Sequence, residues 1–216
     1  MSKPPQNDES TINRILQIAV AVFAELGFRD ATVREICKRA NVNVASVNYY
    51  FRSKEALYLQ ALTFAFEEVN QRYPQNLAAD THKPAEERLG LFIDNFLHKL
   101  LDDSHLGAHG KLITREIADP TNALDTIIAT AIIPQIELLS DIVGRILGKD
   151  AQKITVQRAV LSIMGQCLMF KHSRSVIDRL FPEAIATEQA IQDSARHIAA
   201  FSLAALKQLV STETSL

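Results

Sequence analysis

A short run in the first quarter of the chain has side chains suited to reading the edges of DNA base pairs. Val44, Ala45 and Ser46 are small, and small side chains let a helix approach the bases closely. Valine or alanine can touch a thymine methyl group, and the amide of Asn48 can pair with adenine. At one end of a helix in the major groove, these residues would specify a sequence.

Neighbouring residues are suited to the phosphate backbone, which positions a protein on DNA without specifying a sequence. Tyr49 and Tyr50 can donate phenolic hydroxyls to phosphate, and Lys54 stands in the first turn of a following helix, whose amides also attract phosphate. Arg34 either contacts phosphate or lies on a solvated face. The predicted DNA-binding residues are Arg34, Asn43, Val44, Ala45, Ser46, Asn48, Tyr49, Tyr50 and Lys54.

Local patterns predict the helices that would position these residues. Apolar residues at three- and four-residue steps indicate a first helix from Ser10 to Leu26, with Gly27 placed to end it. Thr32 and Glu35 have the spacing of a capping box, which predicts a second helix from near Val33.

A tight turn separates the second helix from the third. Asn41-Val42-Asn43 interrupts the pattern, because asparagine bonds its own backbone and tolerates left-handed conformations. Asn43 can cap a short helix, Val44 to Tyr50, and Ser53 can cap a fourth that runs to about Arg72. Two helices joined by such a turn are the layout of a helix-turn-helix DNA reader.

The rest of the sequence also predicts helices. A polar stretch after Tyr73-Pro74 is the best candidate for a boundary or connection. Neither strand-like alternation nor a hairpin dipeptide occurs in the sequence, so we expect an all-helical fold. The predicted later spans are 85–101, 111–117, 123–147 with a kink at Pro134, 154–171, 175–180 and 188–210.

Composition bounds the class of protein. The 216 residues are 47% hydrophobic and 22% charged, which excludes a disordered or collagen-like chain. The longest charge-free stretch, 159–170, is shorter than the roughly 20 residues of a membrane-spanning helix. The first ten residues lack the apolar segment of a secretory signal. We therefore expect a cytoplasmic protein without membrane contact, with residues 1–10 as a mobile tail.

The run TVREICKRANVNVASVNYYFRSKEAL, Thr32 to Leu57, resembles the N-terminal DNA-binding domain of the TetR family of transcriptional regulators. The resemblance covers roughly Ile12 to Leu62. Asn41 replaces the usual turn glycine, and Asn48 replaces the tyrosine common at that position. The residues that match the family's A-G-V-S…Y-x-H-F-x-S-K-E-x-L pattern are Ala40, Val42, Phe51, Ser53, Lys54, Glu55 and Leu57.

The resemblance implies an N-terminal three-helix helix-turn-helix domain, 11–57, and a larger helical domain, 58–216, for effector binding and dimerisation. It also implies a homodimer built on a four-helix bundle. The long, apolar helices 154–171 and 188–210 are the predicted seam. Its predicted residues are Val156, Val160, Ile163, Met164, Cys167, Phe170, Ile191, Ala195, Ile198, Phe201, Ala205 and Leu209.

Polar residues embedded in apolar helices are candidates for an effector pocket, with ordinary surface or hydrogen-bonding roles as the alternative. Arg115-Glu116 is similar to an R-E dipeptide that begins the middle of the C-terminal domain in one TetR subgroup. Asn95, His98, Gln135, His172 and Arg174 are further polar candidates. The predicted effector-binding residues are Phe92, Phe96, Arg115, Glu116, Leu139, Gln166 and Phe170.

Metal and enzyme chemistry are not indicated. His105 and His109 would share a helix face, but Gly107 and Gly110 disfavour that helix and the sequence offers no third ligand. We therefore predict no metal and no cofactor. The sequence also lacks a nucleophile elbow, a phosphate-binding glycine loop and an H-E-x-x-H motif, so we do not expect an enzyme.

The sequence predicts a one-component transcriptional regulator. We expect a repressor that binds a palindromic double-stranded operator and is released by a small-molecule effector of unknown identity. The alternative is a helical adaptor that binds only protein. The small-residue start of helix 44–50, followed by phosphate-type donors, argues against an adaptor.

Overall fold

The computed structural model describes residues 6–102 and 107–213, and the regular elements in those ranges are all helical, which confirms the predicted all-helical fold. The helices are α1 (Gln6–Asp30), α2 (Val33–Ala40), α3 (Val44–Phe51), α4 (Lys54–Arg72), α5 (Asn76–Ala79), α6 (Ala85–Leu101), α7 (Gly107–Ala118), α8 (Leu124–Ile127), α9 (Ile133–Leu147), α10 (Lys153–His172), α11 (Arg174–Leu180) and α12 (Glu188–Glu213).

The described residues form two compact units. Unit 1 contains residues 6–71 and 107–131, and unit 2 contains residues 72–102 and 132–213. These units are defined by packing, whereas the predicted division at residue 57 is functional and stays a prediction. Helix α1 begins at Gln6, inside the predicted tail.

The core of unit 1 lies between α1, α2, α4 and α7. Phe23, Phe51 and Leu62 are fully or almost fully buried there. The ring of Tyr58 lies edge-on to Phe23, with centroids 4.8 Å apart, and 4.9 Å from the ring of Phe28. Burying such aromatic groups is the main favourable contribution to packing. This core holds α2 and α3 in place.

Gly27 breaks α1 but does not end it, so the predicted end of this helix was wrong. The glycine has φ 81° and ψ 171°, a conformation that only glycine adopts readily. One more helical turn follows to Asp30, and the amide of Ala31 donates to the carbonyl of Gly27 at 3.2 Å. The chain therefore resumes its helix in a new direction.

The core of unit 2 is formed chiefly by α6, α9, α10 and α12. The rings of Phe92 and Phe96 stack with centroids 5.8 Å apart. Arg88 is only 2% exposed, and its guanidinium donates to the carbonyl of Ala78 at 2.7 Å and to the carboxylate of Asp141 at 2.9 Å. Because a buried charge is costly unless paired, this contact fixes α6 against α5 and α9.

The predicted single helix over 123–147 is instead three pieces. A π-helical segment, Ile128–Ile132, lies between α8 and α9, just before Pro134. Proline has no amide hydrogen to donate to Thr130 and its ring crowds that carbonyl, so a regular helix cannot continue through it. The kink was predicted, but the widened turn ahead of it was not.

Two stretches, Glu9–Asp30 and Leu124–Leu147, are long and apolar enough by composition to cross a membrane. Core helices of soluble proteins satisfy the same criterion. The first is interrupted at Gly27, and the second contains the π-helical segment. The predicted absence of membrane contact stays a prediction.

Candidate nucleic-acid interface and effector site

The start of α2 follows the sequence signal in part. The hydroxyl of Thr32 accepts a hydrogen bond from the amide of Glu35 at 3.2 Å, as a capping residue should. The Glu35 carboxylate pairs with Arg39 at 2.7 Å, and no bond back to Thr32 is recorded among the described contacts. Only the threonine half of the predicted capping box is therefore confirmed.

The turn after α2 shows how asparagine replaces a glycine. Asn41 adopts the left-handed conformation, with φ 51° and ψ 51°. Its amide donates to the carbonyl of Lys38 at 3.3 Å, and the amide of Val42 donates to that of Cys37 at 3.0 Å. Asparagine tolerates this conformation better than most residues, because its side chain can bond locally. The predicted turn is confirmed.

Helix α3 begins at the predicted cap. The side-chain oxygen of Asn43 accepts from the amide of Ser46 at 2.6 Å and from the hydroxyl of Ser46 at 2.9 Å. The Ser46 hydroxyl thus has its proton engaged within the protein. Toward a base edge it can offer only its acceptor lone pairs.

One face of α3 points outward and the other into the core. Val47 and Phe51 are buried, while Val44, Ala45 and Asn48 are exposed. Tyr49 is 80% exposed, and its ring lies edge-on to that of Tyr50 at 5.2 Å. The small residues at the start of the helix therefore lie on its accessible surface, as groove reading requires.

The cations near α3 differ in their availability. Arg39 is paired with Glu25 at 2.7 Å, and this contact holds the pKa of the Glu25 carboxyl below its usual range. Arg34, Lys38 and Arg52 are exposed and form no ion pair with any residue in the described ranges. These three cations can therefore face phosphate without first breaking a pair.

Lys54 has protein partners that the sequence did not indicate. Its ammonium donates to the carbonyl of Arg29 at 3.0 Å and lies 4.8 Å from the centroid of the Phe28 ring. An ammonium has three donors, so this bond leaves others for phosphate. Its phosphate contact stays a prediction.

The structure does not bring the predicted effector-binding residues together. Phe92, Phe96 and Leu139 are buried in the core of unit 2. Gln166 and Phe170 are partly buried on α10, and the Gln166 amide donates to the hydroxyl of Ser202 at 3.2 Å. Arg115 and Glu116 belong to unit 1, so effector contacts by these residues stay a prediction.

Arg115 closes the kink of α1. Its guanidinium lies 3.3 Å from the carbonyl oxygens of Glu25 and Leu26 and donates to both. These carbonyls precede Gly27, where the helix breaks and leaves them without their usual amide donors. A Cβ on Gly27 would lie 2.5 to 2.7 Å from the guanidinium atoms. The glycine therefore leaves the space that Arg115 occupies.

Glu116 joins α7 to α4. It is 1% exposed and accepts from the hydroxyl of Tyr58 at 2.8 Å, while Thr121 donates its amide at 2.9 Å and its hydroxyl at 3.0 Å. Burial, together with this carboxylate, raises the pKa of Tyr58 well above its usual range. The phenol therefore stays protonated and donating. The sequence gave no signal for this pair beyond an apolar pattern at Tyr58.

The two late helices divide their apolar residues between core and surface. Phe201 and Leu209 of α12 are 62% and 41% exposed, and with Ala205 they line a groove of about 380 Å³ beside α10. Several residues predicted for the subunit seam are buried in the core of unit 2, and for these the prediction was wrong: Val160, Ile163, Cys167, Ala195 and Ile198. Each helix must first pack within its own unit.

No cluster of three or more metal-ligating side chains occurs within the described ranges. His109 is buried in α7, with its ring centroid 6.1 Å from that of Phe64. His105, the other histidine of the weighed pair, lies outside the described residues.

Comparison with known families identifies the chain. The family described as "Bacterial regulatory proteins, tetR family" matches residues 15–61, and the family described as "HTH-type transcriptional dual regulator CecR, C-terminal domain" matches residues 85–206. The chain belongs to the TetR family of transcriptional regulators, which are DNA-binding proteins and not enzymes. Within it, the chain belongs to the group that shares the CecR C-terminal domain, because that match covers more than half of its length.

Individual proteins agree with this assignment. The chain is 27% identical over 177 residues to the dual regulator CecR of Shigella flexneri, covering 78% of this chain and 79% of that one. It is 24% identical over 212 residues to the repressor NicS of Pseudomonas putida, covering 94% and 95%. The fold matches that of AibR, solved with isovaleryl coenzyme A and operator DNA, with a TM-score of 0.64, 16% identity and coverage of 85% and 94%.

Proposed function

We propose that the chain is a one-component repressor whose α2–turn–α3 unit reads one half of a palindromic operator. The observation that carries this proposal is the outward face of α3, which begins at an asparagine cap and presents Val44, Ala45 and Asn48 to solvent. An adaptor for protein would have no use for small residues at this end followed by phosphate donors. The predicted DNA-binding residues all lie on or beside these two helices.

Two copies are needed to read a palindrome. The homodimer proposal is supported by the spacing of Phe201, Ala205 and Leu209, which follow one another every four residues along an exposed face of α12. An exposed apolar stripe of this kind is typical of a helix that packs against a partner. The reading helices of such a dimer would lie one helical turn of DNA apart, about 34–36 Å.

The effector acts by changing the distance or angle between the two reading helices. AibR, which shares the fold, was solved with both an acyl coenzyme A and operator DNA, so one chain of this architecture has room for both. In this chain the domain 58–216 binds the effector and dimerises, while 11–57 binds DNA. By linkage, the operator must weaken effector binding by the same factor that the effector weakens operator binding.

A regulator that acts on DNA without a second component works where the DNA is. We therefore place the chain in the cytoplasm, without membrane contact, and with no metal or cofactor needed for DNA binding.

Selection from a random duplex pool with the full-length protein tests the proposal. The expected product is a palindromic sequence whose half-sites are separated by about one helical turn. A matched selection with Asn48→Ala should yield a motif that is degenerate at particular positions of each half-site. Recovery of no enriched sequence would favour the adaptor alternative. Enrichment of a single unrepeated half-site would contradict the dimer.

A further inference from the structure

A second cavity in unit 2 has features of a ligand site that the proposed function does not use. It has a volume of about 250 Å³ and lies between α6, the first turns of α12 and the segment that precedes α5. None of the predicted effector-binding residues is among those that line it. The lining residues that matter for the argument are Gln75, Asp94, Asn95, His98 and Glu188.

Two amide side chains of this cavity are buried with unused hydrogen-bonding capacity. Neither the oxygen nor the nitrogen of the Gln75 amide has a hydrogen-bond partner. Asn95 donates its amide to the carbonyl of Pro74 at 3.0 Å, but its side-chain oxygen has no partner. A buried polar group without a partner destabilises the protein. A bound molecule that supplied the partners would remove this penalty.

The imidazole of His98 adds a third unused atom. Its Nδ1 lies 2.7 Å from the carbonyl oxygen of Asp94, and since a carbonyl only accepts, Nδ1 carries the proton. In the neutral ring Nε2 is therefore an acceptor. It lies 3.0 Å from a carboxylate oxygen of Glu188 without forming a hydrogen bond.

The charge of the cavity selects the kind of ligand. The carboxylates of Asp94 and Glu188 are both part of its lining, whereas none of the described lining residues is Lys or Arg. The unused atoms comprise three acceptors, on Gln75, Asn95 and His98, and one donor, on Gln75. The site therefore requires a ligand that is rich in donors and positively charged.

We propose that this cavity binds a small organic amine in its ammonium form. The ammonium group donates to the side-chain oxygens of Gln75 and Asn95, and the carboxylates of Asp94 and Glu188 balance its charge. A hydroxyl or carbonyl elsewhere on the ligand accepts from the Gln75 amide. The cavity is smaller than the pockets that hold drug-sized molecules, which limits the ligand to a few non-hydrogen atoms.

Binding by this cavity is independent of DNA recognition. Only the further step, that an occupied cavity alters operator affinity, rests on the proposed function. The two are therefore measured separately, first with the full-length protein alone and then with operator added.

Three probes of nearly equal size differ mainly in charge: ethanolamine, ethylene glycol and glycolate. Calorimetric titration of the full-length protein with each, alongside further primary amines up to the size of tyramine, tests the selection. At least one amine should bind saturably and at least ten-fold more tightly than ethylene glycol and glycolate. If every amine fails to bind, or if glycolate binds as tightly as the amines, the proposal is overturned.

Gln75→Leu assigns the binding to this cavity. Leucine has a similar volume and removes the unpartnered amide, so the variant should melt at the same or a higher temperature and lose at least ten-fold in amine affinity. Gln189→Leu is the matched control, because Gln189 is exposed on α12 and outside this cavity. Unchanged amine affinity in Gln75→Leu places binding elsewhere, and a lower melting temperature shows that Gln75 is structural; either result overturns the proposal.

An operator titration with and without the bound amine then tests coupling. A change in operator affinity assigns the cavity a regulatory role. An unchanged affinity leaves the binding site standing and denies it that role, whereas failure of operator binding under all conditions is a failure of the proposed function.

Discussion

Ser46 and Asn48 are one helical step apart in the sequence of α3, yet their side chains are differently prepared for DNA. Ser46 donates its hydroxyl proton to Asn43. Asn48 is exposed, and both halves of its amide face solvent-accessible space at the surface of α3. An amide can make the two bonds that adenine requires, while the serine is limited to accepting. We therefore expect Asn48 to discriminate between bases more strongly than Ser46.

Asn48→Ala should reduce operator affinity by about 1–3 kcal/mol and leave affinity for a scrambled duplex almost unchanged, because only a base contact is lost. The salt dependence of binding should also stay the same, since no charge is removed. Fluorescence anisotropy with both duplexes at several salt concentrations measures these quantities. Ser46→Ala is the control and should show a smaller loss. Equal losses on the two duplexes would show that Asn48 does not read a base.

Lys54→Ala should weaken binding to operator and scrambled duplex alike. The slope of log affinity against log salt should fall by about 1, the value for one lost phosphate contact. Lys149→Ala is a matched control, because Lys149 is exposed in the turn after α9 of unit 2. An unchanged slope in Lys54→Ala would mean that its ammonium serves only the carbonyl of Arg29 and the ring of Phe28.

At the scale of elements, the sequence predicted those parts of the fold that depend on neighbouring residues. Caps such as Asn43 and the turn residue Asn41 act through bonds to amides and carbonyls a few residues away, so α2, α3 and the turn between them could be placed correctly. The contacts of Arg115 and Tyr58 join residues more than 50 positions apart. No local pattern encodes such contacts, and the predicted effector role of Arg115-Glu116 overlooked these partners.

The kink of α1 gives a prediction at this scale. Gly27→Ala should destabilise the protein by about 1–3 kcal/mol, because alanine is strained at φ 81° and its Cβ would meet the guanidinium of Arg115. Gly90→Ala on α6 is the control. A Cβ there has open space, and a helical alanine should stabilise by about 0.5–1 kcal/mol. Chemical denaturation measures both, and an unaltered midpoint for Gly27→Ala would refute the account of the kink.

For the whole molecule, the exposed face of α12 predicts the assembly. Phe201→Asp should convert the dimer to a folded monomer, since the residue lies on the surface of its own unit and its charge would be buried only against a second copy. Ile198 is unsuitable for this test because it lies in the core. Leu180→Asp, at a similarly exposed apolar residue of α11, is the control and should remain dimeric. Sedimentation velocity that shows a dimer for both variants would exclude this face from the interface.

The packing of α7 on α1 has a consequence for anyone who wishes to dissect the protein. A fragment that stopped at Gln71 would contain every proposed DNA-binding residue, yet it would lose the partners that Arg115 and Glu116 provide to the carbonyls of α1 and to Tyr58. Leu112, fully buried against this unit, would also be absent. We expect such a fragment to fold poorly, whereas joining residue 71 to residues 107–131 through a flexible linker should restore a minimal reading head.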